Sequence, residues 1–231
     1  MITGLILVQN NERTIAHVLD QLTTLTDEVV VVDGGSSDRT PEIAKAYNKV
    51  RFFERPFGNN FAAQRNYAIE QAKGDWILSV DSDELLGLQF KRYLRLWTRM
   101  PFVQYYRFPR YWLVDREGEI CYCDSKAHYP DYQIRLFRNH ERRRYHDKVH
   151  ESFPKRYRRR GVKIPSAHIY HFCLLDSLDE RRAKVTRYET IGRKIFRIND
   201  VYLWEQDDVQ LRPLNNLSES MSSMIAAVSE Q

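Results

Sequence analysis

Two short acidic segments could do chemistry in this sequence of 231 residues: Asp33-Gly34-Gly35-Ser36-Ser37-Asp38 and Asp81-Ser82-Asp83-Glu84. In the second, carboxylates one residue apart repel each other, and each is easier to protonate unless a cation lies between them. Oxygen donors of this kind suit Mg²⁺ or Mn²⁺, which commonly bridge a few carboxylates and a diphosphate. A plainer role competes, with Asp81 and Asp83 capping a helix expected to begin near Leu85. In the first segment Asp33 can accept hydrogen bonds from a base or ribose, while Gly34 and Gly35 let a ligand approach the backbone. Asp38, just ahead of Arg39-Thr40-Pro41, reads as a helix N-cap. Gln64-Arg65-Asn66 offers a cation and two amides, which makes Arg65 a candidate phosphate or nucleotide contact.

The elements that must position these residues follow from the apolar pattern. Residues 3–8 form an apolar run closed by Gln9-Asn10-Asn11, and residues 14–25 repeat apolar side chains at a helical period. The β-branched run of residues 28–32 is apolar on both faces, as in a buried parallel strand. A helix from Pro41, a strand over 50–54, a helix over 61–72 and a strand over 76–80 complete the first half. Strand and helix alternating through short links predict a parallel α/β sheet with right-handed crossovers. Ligands of such sheets bind beyond the carboxyl ends of the strands, and both acidic segments lie there. The second half is aromatic-rich and extended over 104–113 and 119–122 around a turn at 115–118. It has a further strand over 134–137 and a long charged helix over 177–198. Residues 199–231 read as an acidic, then serine-rich tail.

Composition narrows the class. Hydrophobic residues are 42% and charged residues 29%, the balance of a globular chain of one domain. No apolar run approaches the roughly 20 residues of a membrane span, and the N-terminus lacks a basic signal-peptide region. Cys121, Cys123 and Cys173 make neither a full disulfide set nor good zinc spacing, which points to a reduced, cytoplasmic compartment. The net charge of +5 is segregated: residues 138–163 carry eleven Lys/Arg against three acids, while six acids and one arginine follow Asn199. Such a basic window attracts an anionic glycan, an anionic membrane surface or nucleic acid. No nucleic-acid recognition motif accompanies it, so nucleic acid is not the expected partner.

LILVQNNERTI, VVVVDGGSSDRT, FAAQRNYAI and GDWILSVDSDEL occur in this order, followed by YQIRLFRN, VHESF, HIYHF and a helix with Lys184 and Arg187-Tyr188. Over residues 1–198 the chain resembles the family 2 glycosyltransferases, and more narrowly the short bacterial enzymes that extend lipopolysaccharide cores and related glycans. The resemblance implies the α/β GT-A fold: a Rossmann-like, mostly parallel sheet flanked by helices, an acceptor-side second half and a long C-terminal helix. Residues 1–98 would be the nucleotide-sugar half and 99–198 the acceptor half. It implies inverting transfer from a UDP-sugar to a hydroxyl of an anionic glycan or lipid-linked acceptor, at the cytoplasmic side or peripherally on the inner membrane. Asn10, Asn11, Asp33, Arg65 and Ser82 would bind the nucleotide-sugar, and Asp81, Asp83 and His171 would hold Mg²⁺ or Mn²⁺, with His168 second to His171. Glu151 would be the base that deprotonates the acceptor, with Asp131 as runner-up. Two positions depart from the family pattern: Gly34 replaces a second aspartate, and the usual Asn-Glu after the first strand reads Asn10-Asn11-Glu12, so the glutamate is either shifted by one position or replaced by Asn11. A nucleotidyltransferase would need a glycine-rich basic loop after the first strand, which QNNERT lacks. A non-catalytic module holding a nucleotide-sugar or anionic glycan is the other alternative.

Overall fold

The computed structural model describes residues 1–140, 145–146, 160–191, 202–203, 209–214, 222–223 and 225. The first half alternates as expected: β1 (Ile2–Val8), α1 (Ile15–Leu25), β2 (Glu28–Asp33), α2 (Thr40–Lys45), β3 (Val50–Glu54), α3 (Phe61–Gln71) and β4 (Trp76–Ser79). These strands run parallel in the order β4-β1-β2-β3, and β2 is buried along its whole length. α1 packs on the sheet through Ile15, Val18, Leu19, Leu22 and Leu25, the spacing of one helical face. Truncating one of these leucines to alanine would cost about 2–5 kcal/mol. Val8 pairs with Asp33 at the carboxyl edge, so the loops after β1 and β2 leave the sheet side by side.

The second half extends the sheet antiparallel. β6 (Tyr105–Arg116), β7 (Glu119–Cys123) and β8 (Asp131–Arg138) follow β5 (Glu84–Leu86) and α4 (Leu88–Trp97), and β8 inserts between β4 and β6. The β6–β7 hairpin turns on Glu117 and Gly118, both at positive φ (54° and 87°), a tighter turn than the four residues the sequence suggested. β9 (Gly161–Lys163) and β10 (Ile169–His171) are short additions beside β6. α5 (Leu178–Thr190) opens with a capping box between Ser177 and Glu180.

Two sequence expectations change. Residues 84–86 form a strand, not a helix start, because β10 supplies hydrogen-bonding partners on that side, with His171 opposite Glu84. The helix begins only at Leu88, so Asp81 and Asp83 cap nothing. In the expected tail, β11 (Leu211–Pro213) pairs with β7, and Tyr202 is buried against Trp112 and Val185. The three cysteines are free and buried. Among the described residues, no helix is long and apolar enough to cross a membrane.

Candidate active site

A cavity of about 960 Å³ opens at the carboxyl edge of β1, β2 and β4, and the antiparallel half forms its far wall. Loops from both halves meet there, as the strand-edge rule for open α/β sheets requires.

The loops after β1 and β2 are built by local hydrogen bonds. The Asp33 carboxylate is buried and accepts the backbone N–H groups of Gly35 (3.1 Å) and Ser36 (2.9 Å), along with the Ser36 hydroxyl. Asp33 therefore shapes its own turn and does not face the cavity. Asn10, in the left-handed region at φ 55°, accepts the Ser37 N–H at 2.8 Å, and its own N–H donates to Ser36 Oγ. Asn11 N–H donates to Thr40 Oγ1 at 2.7 Å, while its carbonyl receives the N–H groups of Thr14 and Ile15 and so starts α1. The Asp38 carboxylate accepts Thr40 N–H at the start of α2, near the N-cap role expected of it, and Glu12 N–H from the neighbouring loop. Asn10, Asn11 and Gly34 line the cavity. A Cβ at Gly34 would meet Phe57 Cβ at 3.2 Å and the Val8 carbonyl oxygen at 3.4 Å, so glycine keeps this wall thin.

The second acidic segment is held by distant cations instead. Asp81 receives Arg65 on Oδ1 (2.5 Å) and Arg135 on Oδ2. Glu84 is 0% exposed and receives Arg110 Nη1 at 3.1 Å and Arg135 Nε at 2.8 Å. Asp83 Oδ2 receives Lys184 Nζ at 2.8 Å and lies 3.3 Å from His171 Nε2. Asp131 receives Arg110 and Trp112 Nε1 on Oδ2 and Gln133 on Oδ1. Four carboxylates (Asp81, Asp83, Glu84, Asp131) thus face Arg65, Arg110, Arg135 and Lys184. Burial alone would raise the Asp81, Asp83 and Asp131 carboxyls; the neighbouring cations outweigh it and hold all three below the usual range.

Burial lowers the proton affinity of the His171 imidazole, although Asp83 pulls the other way. Its Nδ1 lies 3.3 Å from Cys173 Sγ, and its ring packs edge-on against Trp112. His168, the second histidine candidate, stacks instead on Tyr111 at 4.3 Å and does not line the cavity. A carboxylate beside an imidazole is a donor pair suited to Mg²⁺ or Mn²⁺. Asp83 and His171 therefore fit such an ion once the Lys184 ammonium gives way, whereas both Asp81 oxygens are engaged by guanidinium groups. Among the described residues no group of three or more His, Cys, Asp and Glu side chains converges on one point.

Ser82 and Arg65 line the cavity, with Arg65 turned onto Asp81 and Ser79. Glu151 lies outside the described residues. Sequence reasoning missed several groups. Arg110 and Arg135 carried a signal, each a guanidinium on a buried strand with mostly apolar neighbours. Phe57 and Phe61, with ring centroids 4.6 Å apart, make an aromatic ledge that Tyr188 extends at 6.1 Å. Asp176 is the other omission. It lines the cavity, has no hydrogen-bond or ion-pair partner among the described residues, and is raised to about 6, chiefly by burial. α5 closes this wall through Arg13–Glu180 (2.9 Å), Arg187 on Gln9 (2.5 Å) and the Lys184–Asp83 contact.

Residues 9–95 match the family described as Glycosyl transferase family 2. An uncharacterized glycosyltransferase of Rickettsia typhi is 32% identical over 90 residues, covering 39% of this chain and 30% of the relative. The lipopolysaccharide core biosynthesis glycosyltransferase LpsC of Rhizobium meliloti is 28% identical over 97 residues, covering 40% and 35%. Across the curated relatives that were compared, the matches span 18% to 35% of the relatives' own length. In three dimensions the chain is similar to residues 1–349 of S. aureus TarS, with a TM-score of 0.55 at 15% identity, over 84% of this chain and 66% of that one. The family match covers the loops that carry Asn10, Asp33, Arg65, Asp81 and Asp83, and the fold around them is GT-A, so the chain is similar to family 2 of the glycosyltransferases over this region.

Proposed function

We propose that this chain transfers a sugar from a uridine diphosphate sugar to a hydroxyl of an anionic glycan or lipid-linked acceptor, with inversion, at the cytoplasmic side of a membrane. The observation that carries the reading is the cavity itself. It joins a thin-walled loop pair, an aromatic ledge and a charge-balanced acidic centre at the carboxyl edge of a GT-A sheet. Structural support for the donor class comes from TarS, which has been solved with UDP-GlcNAc. LpsC, a relative named for lipopolysaccharide core biosynthesis, supports an envelope glycan as acceptor.

In this reading the base stacks on the Phe57–Phe61 ledge, while Asn10, Asn11 and Ser82 line the donor. Arg65, Arg135 and Lys184 are within reach of the diphosphate once it displaces their carboxylate partners. Asp83 and His171 would hold Mg²⁺ or Mn²⁺, with Asp81 joining if it releases an arginine. The ion's chemistry there is neutralisation of the charge that grows on the departing diphosphate.

Three carboxylates compete for the acceptor proton: Glu151, Asp131 and Asp176. Both Asp131 oxygens accept strong donors, and the group is held below the usual range, which makes it a weak base. Asp176 has free oxygens in the cavity and an affinity for protons suited to neutral pH. It is the base this reading favours. The anionic acceptor would lie toward Tyr132, which Lys163 covers at 4.5 Å, and toward Arg107 on the cavity wall.

The test is thermal stability against UDP, GDP, CDP and TDP, with and without Mn²⁺. A shift specific to UDP supports the donor; at a hundredfold excess over Kd it should correspond to about 2.7 kcal/mol. No shift with any nucleotide overturns the reading.

A further inference from the structure

Four of the seven large hydrophobic side chains exposed among the described residues fall within 88–102: Leu88 (70%), Leu96 (49%), Met100 (44%) and Phe102 (76%). The same stretch is strongly basic. Between Glu84 and Asp115 the sequence has no acidic residue and six Lys/Arg. Four of these, Lys91, Arg92, Arg95 and Arg99, occupy exposed positions on α4 and the turn after it.

The helix separates its faces cleanly. Phe90, Leu94 and Trp97 pack into the core, while Leu88, Arg92, Arg95 and Arg99 follow the outward spacing, with Lys91 and Leu96 beside them. Of the four cations, Arg95 has an acidic partner, Asp27, at 2.6 Å, and Arg92 lies over the Tyr93 ring. The following turn is fixed from behind. Arg138 donates to the carbonyls of Val103 (3.0 Å) and Met100 (3.1 Å), and Met100 N–H donates to the Trp97 carbonyl. Phe102 is therefore held outward on a rigid turn.

Scattered exposed hydrophobics need no explanation, but a clustered set rimmed by like charge does. A protein interface core is depleted in charge, whereas cations interleaved with apolar side chains match the headgroup and acyl layers of an anionic bilayer. We propose that α4 and the turn to Val103 are a membrane-docking surface. Lys91, Arg92 and Arg99 would contact anionic lipid headgroups, while Leu96, Met100 and Phe102 enter the acyl boundary. None of residues 88–102 lines the cavity, so the proposal goes beyond the assigned reaction and does not depend on it.

The experiment is co-sedimentation of the full chain with vesicles of phosphatidylcholine, alone or mixed with phosphatidylglycerol. The wild type should bind the mixed vesicles, more weakly as salt rises, and leave the neutral ones in suspension. Arg92→Gln with Arg99→Gln should weaken binding roughly five-fold per cation removed. Leu96→Ser with Phe102→Ser should weaken it about tenfold or more while all cations remain. All four substituted positions are exposed, and unchanged melting temperatures would verify that the variants fold. No binding by the wild type, or binding by both variants as strong as the wild type's, overturns the proposal. So does a dimer in velocity sedimentation that the Ser variant dissolves without vesicle binding, which would make the patch a protein contact. The UDP-dependent thermal shift, measured on the same variants, reads the transferase assignment separately.

Discussion

The two acidic turns at the sheet edge look alike in sequence and are stabilised in opposite ways. In the turn after β2, Asp33 and Asp38 are satisfied by backbone N–H groups no more than three residues away, or by the adjacent loop. In the turn after β4, Glu84 accepts the Asp81 N–H, but the carboxylates are otherwise satisfied by side chains 16 to 101 positions distant. The first turn is a local scaffold that would keep its shape with little help. The second exists only when α3, β6, β8 and α5 have all arrived. An acidic turn therefore says little until the origin of its partners is known.

The comparison breaks most severely at Glu84. Glu84→Ala would leave Arg110 and Arg135 buried without their shared partner, and the expected loss is about 3–5 kcal/mol of stability by chemical denaturation. If the two turns were equivalent, Asp33→Ala would cost as much; it should instead cost about 1–3 kcal/mol, the loss of charge-assisted bonds to backbone amides. Acid titration sharpens the same contrast. Asp81, Asp83 and Asp131 titrate below their unfolded values, so their stabilisation is complete above the usual carboxylate range and is lost as pH falls from that range through their lower folded values. Melting followed by circular dichroism from pH 6 downward should show that loss.

Asp176 behaves in the reverse sense, since its folded value is raised to about 6. It destabilises the fold at neutral pH, and that penalty disappears as pH falls toward the unfolded value. Asp176→Asn should stabilise the protein at pH 7 by on the order of 1 kcal/mol while lowering turnover about 10²–10⁴-fold. The acid limb of the wild-type rate profile should lie near pH 6, and its disappearance in the variant would be the kinetic check. The smallest effect concerns Lys184. Lys184→Gln removes a competing cation from Asp83, and Mn²⁺ affinity followed by electron paramagnetic resonance should rise about five- to tenfold.

Much of this was legible in the residues. Apolar periodicity located the strands and helices of the first half, and the strand-edge rule put both acidic segments at one site. Local chemistry was read to within a residue, as at Asp38, which holds the start of α2 from the position before its N-cap, Arg39. What escaped was long-range. Nothing near Asp81 in sequence says that Arg135 covers it, or that Lys184 reaches Asp83 from a helix 101 positions later. The expected helix start at Leu85 failed for the same reason, because a partner strand arriving from residues 169–171 overrode local preference. Asp176 went unnoticed because an isolated aspartate before a helix looks like a cap, whereas Ser177 takes that part.

β10 has a consequence for cooperativity. Its three residues pair antiparallel with β5 on one side and parallel with β6 on the other, with His171 opposite both Glu84 and Trp112. A segment this short has no independent stability, yet it laces the two halves together at the level of backbone amides. Its exchange with solvent deuterium should therefore track global opening, among the slowest in the chain, while the α5 wall, attached largely by side chains, opens through smaller fluctuations. The parallel half and the antiparallel half would then unfold as one unit, and the wall over the cavity would yield first.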